Sequence, residues 1–113
     1  MNAELVMFCG RCRAPVDGDT GFIGVRHAAL ARAGTGPGEV LWETLHHSCD
    51  PDPGNDCYAI NAERIATSPA LAWWTAHLMG KTWLALTDWD EVLREAAGEG
   101  GSPRIAARME NAA

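Results

Sequence analysis

The apolar positions of this chain follow one rhythm up to about residue 66 and another from 67 to 97. In the first part they come in short runs or alternate. Residues 22–25, Phe-Ile-Gly-Val, read as a short strand whose glycine weakens it or marks a bulge. Residues 27–33 have high helix propensity, with Gly34 placed to cap a short helix. Along residues 39–46, Val40, Trp42 and Thr44 alternate with Leu41, Glu43 and Leu45, which predicts a strand. Residues 57–61 predict another, and residues 62–67 fit either strand or helix.

From residue 68 the period becomes helical. Ser68 before Pro69 predicts an N-cap, Leu71, Trp74 and Leu78 form one stripe, and Gly80 is placed to stop the helix. Thr87-Asp-Trp-Asp90 has the form of a capping box. The helix it opens carries Trp89, Val92, Leu93 and Ala96 on its apolar face and ends at Gly98. Residues 98–113 are mostly Gly, Ser, Ala and charge, and are expected to form a flexible tail. The expected organisation is one domain over residues 1–97, with a sheet part at 1–66 and a helical part at 67–97.

At 113 residues the chain has room for one modest core, which a metal staple would help. Candidate staple residues stand out. Cys9-Gly-Arg-Cys12 is followed by His46-His47-Ser-Cys49. A Cys-x2-Cys pair and a His-x2-Cys pair supply three thiolates and one imidazole, the donors of a closed, structural zinc shell. A glycine inside the first pair and Pro15 after it suit a tight zinc knuckle. His47 rivals His46 for the third place, and Cys57 rivals for the fourth. Iron–sulfur ligation by Cys9, Cys12, Cys49 and Cys57 has neither common ferredoxin spacing. Six candidates for four places argue against an open catalytic zinc. The expected fold class is therefore α+β: a treble-clef-like zinc knuckle with a small antiparallel sheet, packed against two C-terminal helices.

Charge narrows the partners. Nine basic against fifteen acidic residues give −6, which disfavours generic nucleic-acid binding. A local contact through Arg11, Arg13, Arg26 and Arg32 stays open as a zinc-finger alternative. The N-terminal apolar run is only Leu5 to Phe8 and has no basic residues before it, so no signal peptide or membrane span is expected. The expected location is the cytoplasm, with reduced cysteines.

Three further motifs carry little. Gly80-Lys81-Thr82 lacks the glycine a phosphate loop needs, since Thr75 stands in its place. The acidic loop around Asp50 and Asp52 has two prolines and no terminal glutamate for calcium. His47 with Asn55 and Asn61 faintly matches an HNH nuclease, but the third metal-binding His expected downstream is missing, since His77 lies too far on. Trp73, Trp74, Trp83 and Trp89 crowd one region as core or contact surface. Trp73, His77 and Trp83 are the candidates for a protein contact.

The two ligand pairs, the Asp50-Pro51 that follows them and the stretch from Trp74 to Trp89 are similar to small uncharacterised zinc-knuckle proteins of actinobacteria and their phages. That resemblance spans residues 9–97 and implies zinc binding but no reaction. It favours His46 over Cys57 as ligand. The function expected is a non-enzymatic, zinc-stabilised protein-interaction or regulatory module. The alternatives are a nucleic-acid-binding regulator and an HNH-type nuclease.

Overall fold

Two three-stranded antiparallel sheets, joined by a few specific contacts, carry the fold of this computed structural model. It describes residues 4–34, 36–53, 57–99 and 103–108. The first sheet has the order β2-β1-β6, with β1 (Leu5–Phe8) between β2 (Pro15–Val16) and β6 (Ile105–Ala107). The second has the order β4-β3-β5, with β3 (Gly21–Arg26) between β4 (Glu43–His46) and β5 (Cys57–Asn61). Helix α1 (His27–Arg32) follows β3 directly, and α2 (Ser68–Leu78) and α3 (Trp89–Ala96) come after the second sheet. The class is mixed α+β, as expected. Among the described residues, no helix is long and apolar enough to cross a membrane.

The central strand β3 is buried along nearly its whole length, with Ile23 and Val25 fully enclosed. A side chain at Gly21 would overlap the Leu45 carbonyl and Val16, so only glycine lets the two sheets approach there. That approach brings the end of β4 beside the turn between β1 and β2. A hydrogen bond from the Gly10 amide to the Thr44 carbonyl (2.7 Å) and one from the Thr44 hydroxyl to the Phe8 carbonyl (2.5 Å) fasten it. Trp42 forms an aromatic hub with Tyr58, Trp83 and Trp89. Its buried indole N–H has no hydrogen-bond partner among the described residues, a cost of about 1–3 kcal/mol that the ring packing must offset.

The structure corrects several expectations. The strand over residues 39–46 begins only at Glu43, because the Val40 amide and carbonyl are taken by Leu86 and Asp88 rather than by β3. The helix expected to be capped by Ser68 is capped by Thr67, whose hydroxyl accepts from the Ala70 amide at 3.2 Å. The capping box over residues 87–90 does not form. Thr87 gives its hydroxyl to the Leu84 carbonyl (2.8 Å), and the Asp88 carboxylate turns to the Trp42 amide (2.9 Å) and Arg104 (2.7 Å). Within the expected tail, residues 105–107 form β6 against β1, and Ile105 is fully buried. Arg104 anchors that strand by pairing with Asp88 and Glu95 and donating to the Trp42 carbonyl. Residues 100–102 and 109–113 of that tail lie outside the described residues.

Candidate metal centre

The first ligand pair lies on the turn between β1 and β2. The Arg13 amide donates to the Cys9 carbonyl (3.0 Å), and the Cys9 amide donates to the Ala14 carbonyl (2.9 Å). Arg13 takes the left-handed conformation that closes this turn, with φ 69°. Gly10 is not the strained residue; it serves the close approach to Thr44. The turn aims backbone N–H groups at sulfur, with the Arg11 amide 3.4 Å from Cys9 Sγ.

The second pair comes from the end of β4. His46 is its last residue, opposite Gly21, and Cys49 closes a single 3-10 turn over residues His47–Cys49. Neither residue sits at the start of an α-helix. The His47 amide donates to the Thr20 carbonyl (2.9 Å), which fixes where the strand ends.

These elements bring Cys9, Cys12, His46 and Cys49 together, with all four ligand atoms within 4.8 Å of one another. None of the four cysteines is in a disulfide. His46 Nε2 lies 2.8 Å from the Pro15 carbonyl, and its Nδ1 lies 3.2 Å from Cys12 Sγ and 3.9 Å from Cys49 Sγ. The carbonyl can only accept, so Nε2 carries a proton and donates it. Nδ1 therefore faces the sulfurs. This is how a ligating histidine is ordinarily oriented by a group behind it. In a tetrahedral zinc shell the sulfurs are about 3.8 Å apart, and the observed cluster fits that size.

The electrostatics suit a cation. Burial alone would push the Cys9 thiol up. Hydrogen bonds from the backbone of Cys12, His46 and Arg11, helped by the His46 ring, outweigh it and bring Cys9 down to about 5. Cys9 is thus a thiolate at neutral pH. Cys49 moves the other way, raised by burial and then by the neighbouring Cys9 and Cys12 sulfurs. The Pro15 carbonyl raises His46, against burial and with help from Cys9. Crowded sulfurs competing for protons are what a bound cation would relieve.

The rival ligands lie elsewhere. The His47 ring is exposed and stacks on Phe22 with centroids 5.5 Å apart. Cys57 sits on β5 opposite Arg26. Among the described residues, neither belongs to a group of three metal-capable side chains. Arg26 is committed to Asp50 at 2.6 Å, just after Cys49, a brace no spacing rule points to. The Pro15 carbonyl behind His46 was equally silent in the sequence, since any residue offers a carbonyl.

Of the contact candidates, Trp73 and His77 come together on the outside of α2. Their rings stack with centroids 5.2 Å apart, and Trp73 is 58% exposed. Trp83 does not join them. It is half-buried against Trp42 and Tyr58, with centroids 6.1 and 5.3 Å away. Comparison with protein-family models, curated proteins and solved structures gives no match to this chain.

Proposed function

We propose that this chain is a small zinc-stabilised protein that works through contacts with another protein, without catalysing a reaction. Cys9, Cys12, His46 and Cys49 are the ligands, and Cys9 to Cys12 is the zinc knuckle of the expected α+β fold. The observation that carries this reading is the complete donor set. Four protein groups of the right chemistry converge within 4.8 Å, and His46 is turned toward the sulfurs by Pro15. Four protein donors leave no position for a reacting water, the arrangement of structural sites. The contact surface is the outward face of α2, where Trp73 and His77 are exposed. Three thiolates require a reducing compartment, in keeping with a cytoplasmic protein.

Elemental analysis of protein purified without chelators should find one zinc per chain. Cobalt substitution should give the visible absorption of a tetrahedral site with sulfur ligands, reduced in Cys12→Ser. Cys57→Ser and His47→Ala should leave both unchanged. Absence of stoichiometric metal sinks the zinc reading. Cleavage of plasmid DNA with added Mg²⁺, lost in His47→Ala, would establish the nuclease instead.

A further inference from the structure

We propose that the groove between the C-terminal end of α2 and the first turns of α3 is a docking site for a basic amphipathic helix of a partner protein. The inference rests on the protein-contact reading above and adds to its Trp73–His77 face a second, adjoining surface with its own chemistry. The groove encloses about 680 Å³ and is open to solvent along one side. Pro37, Thr75, Met79, Trp89, Asp90 and Leu93 line it. Met79 is 72% exposed at its rim, the most exposed large apolar side chain of the described residues.

The groove continues onto a face without charge. Helix α2 has no Asp, Glu, Lys or Arg in its eleven residues. Ala72 and Ala76 are exposed and share a stripe with Met79, at spacings of four and three. Small residues there allow another helix to approach closely. From Ala72 to Met79 the stripe runs about 10 Å along the helix axis, two turns for a partner helix to lie against, and it offers no strand edge. An apolar helix laid in a groove is the recognition mode that fits.

The polar groups of the groove define the rest of the partner. The Thr75 hydroxyl is occupied, accepting from Trp89 Nε1 (3.0 Å) and donating to the Leu71 carbonyl (2.8 Å). The Thr87 hydroxyl, also on the wall, donates to the Leu84 carbonyl at 2.8 Å. Asp90 remains. Its side chain is 65% exposed and has one long ion contact, 3.5 Å to Arg94. An apolar groove beside an available carboxylate calls for apolar side chains next to a lysine or arginine. The overall charge of −6 favours approach of the same partner and repels an acidic one.

The test uses the full zinc-loaded chain, labelled with ¹⁵N, and two synthetic helical peptides. Both carry the same leucine face; one has lysines on its polar face and the other glutamates. The lysine peptide should shift the amides of Thr75, Met79, Trp89 and Leu93. Met79→Glu, an exposed position that leaves the fold intact, should weaken it about tenfold or more by placing a charge against its apolar face. Asp90→Asn should weaken the lysine peptide by about two- to fivefold and leave the glutamate peptide no weaker. The proposal is overturned if neither peptide binds, if both bind alike, or if the shifts gather at Trp73 and His77 instead. A zinc-loaded protein that binds a defined partner through Trp73 would keep the contact reading while losing the groove. A chain that is folded as purified but holds no zinc would fail the zinc reading, and the peptide comparison would be read on it in the same way.

Discussion

Two of the fastenings between the sheet of β1, β2 and β6 and the rest of the chain work by unlike means. At one, Cys9 and Cys12 meet His46 and Cys49 from the end of β4. At the other, Arg104 before β6 meets Asp88 and Glu95 of the α3 region and the Trp42 carbonyl. The second fastening is complete in itself, one guanidinium with two carboxylates and a carbonyl. The first gathers thiol groups that compete for protons, and under the zinc reading it is finished only by a cation. Under that reading the same kind of mechanical task is given to coordination at one end and to charge pairing at the other. The two should fail under different conditions.

Removing the metal is the largest test of that difference. Structural zinc contributes about 10 kcal/mol or more in small domains, comparable to the whole stability of such a domain, about 5–15 kcal/mol. Dialysis against a strong chelator, or Cys9→Ser, should abolish the cooperative thermal transition followed by circular dichroism. Restoring zinc to the chelated wild type should return it. Survival of an unchanged transition after metal removal would break the comparison, because both fastenings would then be complete without a cation.

Arg104→Ala comes next. It leaves Asp88, 7% exposed, and the enclosed Glu95 carboxylate without their partner. Breaking a buried pair in this way costs about 3–5 kcal/mol, and the 19% exposure of Arg104 places the expected loss near the lower end, about 3 kcal/mol. Urea denaturation should report that loss. Amide exchange should accelerate through β6 and its β1 partners, with zinc content unchanged. Equal loss of zinc would show that the two ends are one unit.

The two fastenings also differed in how legible they were. Coordination imposes a spacing, so Cys-x2-Cys and His-x2-Cys point to their chemistry before any fold is known. What the spacing left open, His46 or His47, was decided by where β4 ends and by the Pro15 carbonyl, both tertiary facts. The stripe of Leu71 and Leu78 was equally readable, and both are buried in α2. Arg104 had no pattern around it. Residues 105–107 are too few to show a period, and they are a strand because β1 offers them an edge. Residues 87–90 were misread for a related reason. Their local pattern promised a capping box, while Thr87 gives its hydroxyl to the Leu84 carbonyl and the intervening Asp88 is claimed by Trp42 and Arg104, distant in sequence. Trp83 likewise belongs to the Trp42 hub through contacts no spacing encodes.

Acid should loosen the second fastening in a recognisable way. Burial alone would raise the Glu95 carboxyl, but hydrogen bonds and charge from Arg104 hold it below the ordinary glutamate value of about 4.5. The unfolded chain therefore binds a proton more readily than the folded one. The stabilisation is present above about pH 4.5 and is lost as pH falls through the lower folded value. Glu95→Gln should flatten this part of the stability profile, measured by urea midpoints from neutral pH downward. Its loss at neutral pH should be smaller than that of Arg104→Ala, since Asp88 still pairs with Arg104. Asp50, held low by the Asp52 amide and by Arg26, contributes the same slope to both proteins and cancels in the difference. A wild-type profile no steeper than that of Glu95→Gln would show that Arg104 does not depend on that charge.

Thr44→Val is the smallest change, and it asks whether the two fastenings communicate. Phe8 lies between them. Its amide donates to the Arg104 carbonyl at 2.8 Å, and its carbonyl accepts from the Thr44 hydroxyl at 2.5 Å. The Phe8 carbonyl faces the same side as its amide, toward Arg104, whose own amide donates to Glu95 (2.6 Å), so Thr44 supplies a donor the ladder lacks there. Valine keeps the shape and removes that donor from a side chain that is 1% exposed, at a cost of about 1–2 kcal/mol. Thr44 also holds the Gly10 amide through its own carbonyl, which valine retains, so the knuckle stays in place. Combined with Arg104→Ala in a double-mutant cycle, the two losses should differ from their sum by about 0.5 kcal/mol or more, because both act on the position of Phe8. Strict additivity would mean that β1 transmits nothing between its ends, and that each fastening holds its own end of the sheet alone.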